Sequence, residues 1–127
     1  MAKQINVKEE LIQKGLAEGG LVAFARSNNG MTGALLGGAI GSAIQMASAE
    51  NYAVVKFQNK IIILPYTKDK VVYEKAETFA KDDISKVKLT WTGKFKIVMK
   101  NGLKRVVYIQ MFKRDLKEML VQLGLLN

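Results

Sequence analysis

Apolar residues follow two different periods in this chain, one before residue 50 and another after it. Between 7 and 17 the spacing is helical. Val7 and Leu11 form an apolar edge with Leu16 beyond and Ile12 beside it, and Lys8, Glu9, Glu10, Gln13 and Lys14 are polar. This predicts a short helix over 7–17, capped by Asn6 with Glu9 in capping-box position, weakened at Gly15 and ended by Gly19–Gly20. Leu21–Ala25, apolar between glycines and Arg26, predicts a strand, and Ser27-Asn28-Asn29-Gly30 predicts a turn that can also cap a following helix.

From Tyr52 the period is two. Tyr52–Gln58 and Lys60–Tyr66 predict a tight hairpin about Asn59, with Pro65 marking a strand end or an edge. A turn at Lys68-Asp69-Lys70 precedes an expected strand around Val71–Lys75, and Phe79–Ile84 reads as a polar connection. Ser85–Thr92 alternates, with Val87, Leu89 and Trp91 on one face and Lys86, Lys88, Thr90 and Thr92 on the other. After a turn at Gly93, Lys94–Lys100 alternates again, with Phe95, Ile97 and Met99 inward and Lys94, Lys96 and Lys100 outward. Asn101-Gly102 is a strong hairpin signal, and Lys104–Met111 is the returning strand. Phe112, Leu116, Met119, Leu120 and Leu123 then share one face of a terminal helix closed near Gly124.

Between these halves, Ser27–Ala49 carries no charge and places Gly33, Gly37 and Gly41 four residues apart. On a helix this makes a stripe without side chains, where another backbone can approach closely. Leu36, Ile40 and Ile44 flank the stripe, and the other side (Leu35, Ala39, Ser42, Met46) is hardly more polar. Each glycine costs roughly 1 kcal/mol against alanine in a helix, so packing has to offset it. A helix apolar nearly all round belongs in a core, an oligomer interface or a bilayer. Against a bilayer stand Thr32, Ser42, Gln45, Ser48 and the glycines. Leu35, Leu36, Ile40 and Ile44 offer only about −0.5 kcal/mol each on an insertion scale. Self-association into a homo-oligomer is the leading expectation, with packing on its own domain second.

Composition narrows the function. At 127 residues the chain is expected to be one domain, organised as 1–20, 21–51 and 52–127. Without cysteine there is no disulfide, thiol catalysis or thiolate metal site, and without histidine the commonest general base and metal ligand are missing. An enzyme would have to work with carboxylates, lysines, tyrosines and hydroxyls, so the expectation is a non-catalytic protein with no metal and no cofactor. The opening residues lack the apolar run of a secretory signal, which fits a cytoplasmic protein, peripheral to a membrane if it touches one. Residues 1–51 balance four basic against four acidic side chains. Residues 52–127 hold 16 basic and 7 acidic ones, and with them the whole net charge of +9. A field of that sign attracts nucleic acid, anionic lipid or an acidic protein face.

Three constellations follow from these patterns. Lys86, Lys88, Lys94, Lys96 and Lys100 are expected to line one exposed sheet face, where like charges repel and an anionic partner would relieve the strain. The competing role for such lysines is protection of sheet edges from aggregation. Trp91, Phe95 and Tyr108 beside them suggest a base-stacking platform, but Trp91 and Phe95 fall on the apolar faces of their expected strands, where core packing is the simpler role. Asp82-Asp83 resembles half a metal site and reads as a turn and cap.

The order of elements resembles that of bacterial pleckstrin-homology-like (PH/GRAM-like) domains. The matching parts are the hairpin Val54–Leu64, the link Asp82–Val87, the basic hairpin Lys94–Ile109 and the helix Lys113–Leu123, together covering roughly residues 50–125. The resemblance implies an α+β fold. In it, an antiparallel barrel or sandwich of about seven strands is closed by the C-terminal helix, with the N-terminal and glycine-rich helices added. Eukaryotic members usually carry a tryptophan in the final helix, whereas the only one here is Trp91, and the basic signature of inositol-phosphate binding has no match. Phosphoinositide binding is therefore not implied. The functional expectation is a binding or assembly module that self-associates through the glycine-rich helix and binds proteins or anionic membrane surfaces. The alternatives are a nucleic-acid-binding barrel and a small membrane-inserting protein.

Overall fold

The computed structural model describes residues 4–26, 51–67 and 70–126. In chain order these form α1 (Gln4–Gln13), β1 (Val22–Arg26), β2 (Asn51–Phe57), β3 (Lys60–Tyr66), β4 (Glu77–Ala80), β5 (Ile84–Leu89), β6 (Lys94–Met99), β7 (Lys104–Met111) and α2 (Lys113–Gln122). The strands make one antiparallel sheet in the order β4-β3-β2-β1-β7-β6-β5. β4 and β5 are thus opposite edges, yet only the turn Lys81–Asp83 separates them along the chain. Six strand spacings of about 4.8 Å would put flat edges roughly 29 Å apart. Four residue steps reach only about 14 Å. The sheet therefore has to curl. The amides of Lys81 and Lys100, which donate to the carbonyls of Asn59 and Asp83, mark where its two ends approach. The class is α+β.

The curl encloses the larger of two apolar clusters. Leu116, Met119, Leu120 and Leu123 of α2 and the residue after it pack there against Ala23, Val54, Ile63, Phe95, Ile97 and Val107. On the outer face of β1–β3, Val7, Leu11 and Ala17 cover Val22, Phe24, Val55, Leu64 and Tyr66. Strands covered on both faces read as continuous apolar runs, which explains Leu21–Ala25 and Ile61–Leu64. Two polar ties fasten α1 and its following turn to the sheet side: the Tyr73 hydroxyl donates to Glu10, and the Lys56 ammonium pairs with Glu18. Burial first, and then the bond to Glu10, raise the Tyr73 pKa above the usual phenol value. The bonds from Lys56 and from the Gln58 amide hold Glu18 below the usual carboxylate range.

Several expected boundaries move. α1 begins at Gln4, so Asn6 lies inside the helix rather than capping it. It ends at Gln13, where Gly15 takes φ +77°, and Gly19–Gly20 belong to a separate turn. The strand expected at Val71–Lys75 is a single bridge, Tyr66 to Val71, followed by the turn Tyr73–Lys75. The supposed connection Phe79–Ile84 instead supplies the end of β4 and the start of β5, with Phe79 and Ile84 buried inside the curl. Phe112 does not share the buried face of α2. It precedes the helix in a left-handed conformation, its ring near Phe24. Pro65 lies beyond Ile63, the last β3 residue paired with β4, so its missing N–H disturbs no β3–β4 ladder. The glycine stripe (Gly33, Gly37, Gly41) and its shoulder (Leu36, Ile40, Ile44) lie outside the described residues.

The β2–β3 hairpin closes through Gln58 and Asn59, with Gln58 at φ 57°. A side chain held there costs roughly 1–2 kcal/mol, whereas glycine adds only roughly 0.5–1 kcal/mol of chain entropy. Gln58→Gly is therefore expected to stabilise the fold by about 0.5 kcal/mol, read as a higher urea midpoint. A lower midpoint would show that the glutamine side chain itself contributes.

Candidate anion-binding face

The outer face of β5–β7 is set by period-two alternation. Phe95, Ile97, Val107 and Ile109 point into the curl, and the residues between them point out. The register then decides which cations meet. Lys88 stands directly opposite Lys96, Lys86 opposite Val98, and Val98 opposite Lys104, while Lys94 faces Tyr108 and Lys96 faces Val106. Lys96 is the centre of this group, with one lysine across from it and others at diagonal positions. Partial burial first, and then the ammonium groups of Lys104, Lys94, Lys88 and Lys86, hold the Lys96 pKa below the ordinary lysine value. Among the described residues no carboxylate lies within ion-pair distance of these five lysines. A shallow hollow of about 70 Å³ opens between Lys88, Thr90, Lys94 and Lys96.

Four of the five lysines expected on this face are there together: Lys86, Lys88, Lys94 and Lys96. Lys100 is not part of the ladder. It sits in the turn after β6, where its amide donates to the Asp83 carbonyl. Lys104 takes the remaining place, opposite Val98. The signal for it was the Asn101-Gly102 hairpin, whose return strand necessarily lays Lys104 beside β6. Of the aromatic trio, Phe95 is fully buried and Tyr108 is half-buried on the outer face. Trp91 departs from its expected core position and is 89% exposed. β5 ends at Leu89, and Thr90–Gly93 form the hairpin tip, so the alternation that would have turned Trp91 inward stops before reaching it. Asp82 and Asp83 are exposed in the turn between β4 and β5.

The tip is held firmly. The Thr90 amide donates to the Lys94 carbonyl, the Lys94 amide to the Thr90 hydroxyl, and the two threonine hydroxyls lie 2.8 Å apart. Gly93, at φ +101°, runs so close to β7 that an added Cβ would stand 2.7 Å from the Ile109 carbonyl oxygen. Lys113 at the start of α2 donates to the Trp91 carbonyl at 2.8 Å.

A charged pair that the sequence pattern did not single out lies inside the curl. Arg105 is 2% exposed, its Nε and Nη2 donating to the two Glu77 oxygens at 2.8 and 2.9 Å, its guanidinium 5.1 Å from the Tyr52 ring centroid. Burial alone would lower the Arg105 pKa. The bond and charge of Glu77 more than offset that, so the pKa lies above the usual arginine value. The pair is satisfied and enclosed, which gives it a structural role.

No protein family model matches the chain, and no curated protein or solved structure matches it at a significant level. The chemistry therefore rests on the face itself. Ammonium groups act as compact point charges that attract anionic oxygens without fixing a planar geometry. Five such groups on one face can attract an anionic surface.

Proposed function

We propose that this protein is a non-catalytic binding module whose outer β5–β7 face docks on anionic membrane surfaces. The observation that carries this reading is the place of Lys96, directly opposite Lys88 with Lys86, Lys94 and Lys104 around it and, among the described residues, no carboxylate within ion-pair distance. A negative partner removes the repulsion among these lysines, so docking and the stability of the face improve together. The pleckstrin-homology-like resemblance is part of the proposal. A sheet ordered β4-β3-β2-β1-β7-β6-β5, with a C-terminal helix packed on its inner face, supports it. Self-association through Gly33, Gly37 and Gly41 is carried forward on spacing alone. Among the described residues no helix is long and apolar enough to cross a membrane.

Each lysine near an anionic bilayer contributes about 1 kcal/mol, and reversing a charge replaces attraction with repulsion. Lys88→Glu with Lys96→Glu is therefore expected to abolish sedimentation with phosphatidylserine vesicles at low salt. The pair stands directly cross-strand on an exposed face, so the melting temperature should hold. Unchanged sedimentation would leave these lysines as edge and solubility residues.

Tyr108, flanked by Lys94 across the strand pair, favours a second reading, a single-stranded nucleic-acid face. That reading predicts oligonucleotide binding that falls steeply with salt.

A further inference from the structure

We infer that the β5–β6 tip is a membrane-insertion element, with Trp91 entering the headgroup region of an anionic bilayer while the lysine face lies on its surface. This rests on the reading of that face given above and adds a depth and an orientation to it.

Trp91 is the most exposed of the large apolar side chains among the described residues, and it is the only tryptophan in the chain. An indole left in water, on a loop that six hydrogen bonds and a close glycine contact hold in place, gains nothing for the folded domain. Its surroundings have the composition of a membrane interface. The Lys113 ammonium bonds its carbonyl, and the β7–α2 junction that leads into Lys113 exposes Met111, 41% accessible, while the Phe112 ring turns to Phe24 and Lys8. Arg114, next to Lys113, is exposed. On the other side Lys88, Thr90 and Lys94 begin the basic face. Indole rings settle at headgroup depth because one part is apolar and the N–H stays hydrated. Cations around the ring hold the phosphates, and the rigid tip loses little freedom on entering.

The lysine face also argues for lipid over nucleic acid. Across β5 and β6 its outward positions carry lysine and valine, with no arginine fork and no amide side chain to read a base edge; Gln110 and Arg26 enter only at its margin, beside Tyr108. Trp91 lies beyond the face at the hairpin end, where a strand stacked on Tyr108 would not need it.

The sole tryptophan makes the inference directly measurable on the intact chain. With vesicles of phosphatidylcholine and phosphatidylserine, Trp91 emission is expected to shift to the blue, become shielded from acrylamide, and be quenched by acyl-brominated lipid. Trp91→Ala should weaken vesicle sedimentation by about tenfold, the scale of burying one large apolar side chain, without moving the melting temperature. Sedimentation with vesicles while the emission stays unshifted and acrylamide-accessible overturns the insertion element and leaves the basic face standing. Failure to sediment at all overturns both. Quenching by a single-stranded oligonucleotide that also displaces the protein from vesicles assigns the tip to nucleic acid instead.

Discussion

Replacing Glu77 with alanine is expected to destabilise the fold by about 3–5 kcal/mol, among the largest effects of any single substitution in the described residues. The carboxylate holds Arg105 through two hydrogen bonds at 2.8 and 2.9 Å, and the guanidinium is almost fully enclosed. Without Glu77 that charge stays buried, because a guanidinium cannot release its proton at any accessible pH. Its raised pKa fixes the sign: the stabilisation persists throughout the range below the arginine pKa and fades only above it. Arg105→Met should cost less, since the Glu77 carboxylate it leaves behind is the less enclosed of the two partners. The double variant Glu77→Leu, Arg105→Met should be more stable than Glu77→Ala, because it leaves no orphan charge. Urea denaturation of Glu77→Leu, Arg105→Met and the double variant measures the coupling. Additive losses would mean that the pair does not act as a unit. The location makes the effect matter for the architecture. β4 pairs with β3 over only four residues, and the Glu77–Arg105 bond ties that short edge strand across the curl to β7, over the Tyr52 ring of β2.

The same pair shows why part of the fold was hidden in the sequence. β4 contains Glu77 and Thr78 in four residues, so alternation reads it as polar, and its one charged residue looks like a surface group. Only the distant Arg105 neutralises it, a pairing across 28 positions that no local pattern displays. Where local chemistry decides, the pattern was legible: the Asn101-Gly102 hairpin, the inward Phe95 and Ile97, and the both-faces-buried Ile61–Leu64 all form as their residues dictate. Strand ends were less legible, because alternation has no built-in stop. Extending β5 to Thr92 placed Trp91 in the core, and extending β6 to Lys100 enrolled a turn residue in the lysine ladder in place of Lys104. Both errors bear on the candidate site. The corrected Trp91 is what turns a charged face into one with an apolar point.

Leu120→Ala is expected to cost about 2–5 kcal/mol, towards the upper part of that range. Leu120 is fully buried midway along the inner face of α2, between Leu116 and Leu123 in the cluster that fills the curl. The backbone on either side resists collapse into the space left behind. The helix ends in a Schellman motif, with Gly124 at φ +76°, the Leu125 amide donating to the Leu120 carbonyl and the Gly124 amide to that of Val121. At its start the Asp115 carboxylate accepts the Val22 amide of β1 at 3.3 Å. Fastened at both ends, α2 cannot slide to refill the cavity, and the loss includes a cavity contribution beyond the removed methyl groups. Lys117→Ala, on the exposed side of the same helix, should stay within about 0.5 kcal/mol of the parent. Paired urea titrations followed by far-ultraviolet circular dichroism separate helix propensity from packing, since alanine is the better helix former at both positions. Coincident midpoints for Leu120→Ala and the parent would remove α2 from the core. A drop for Leu120→Ala alone ties the closure of the curled sheet to this one side chain.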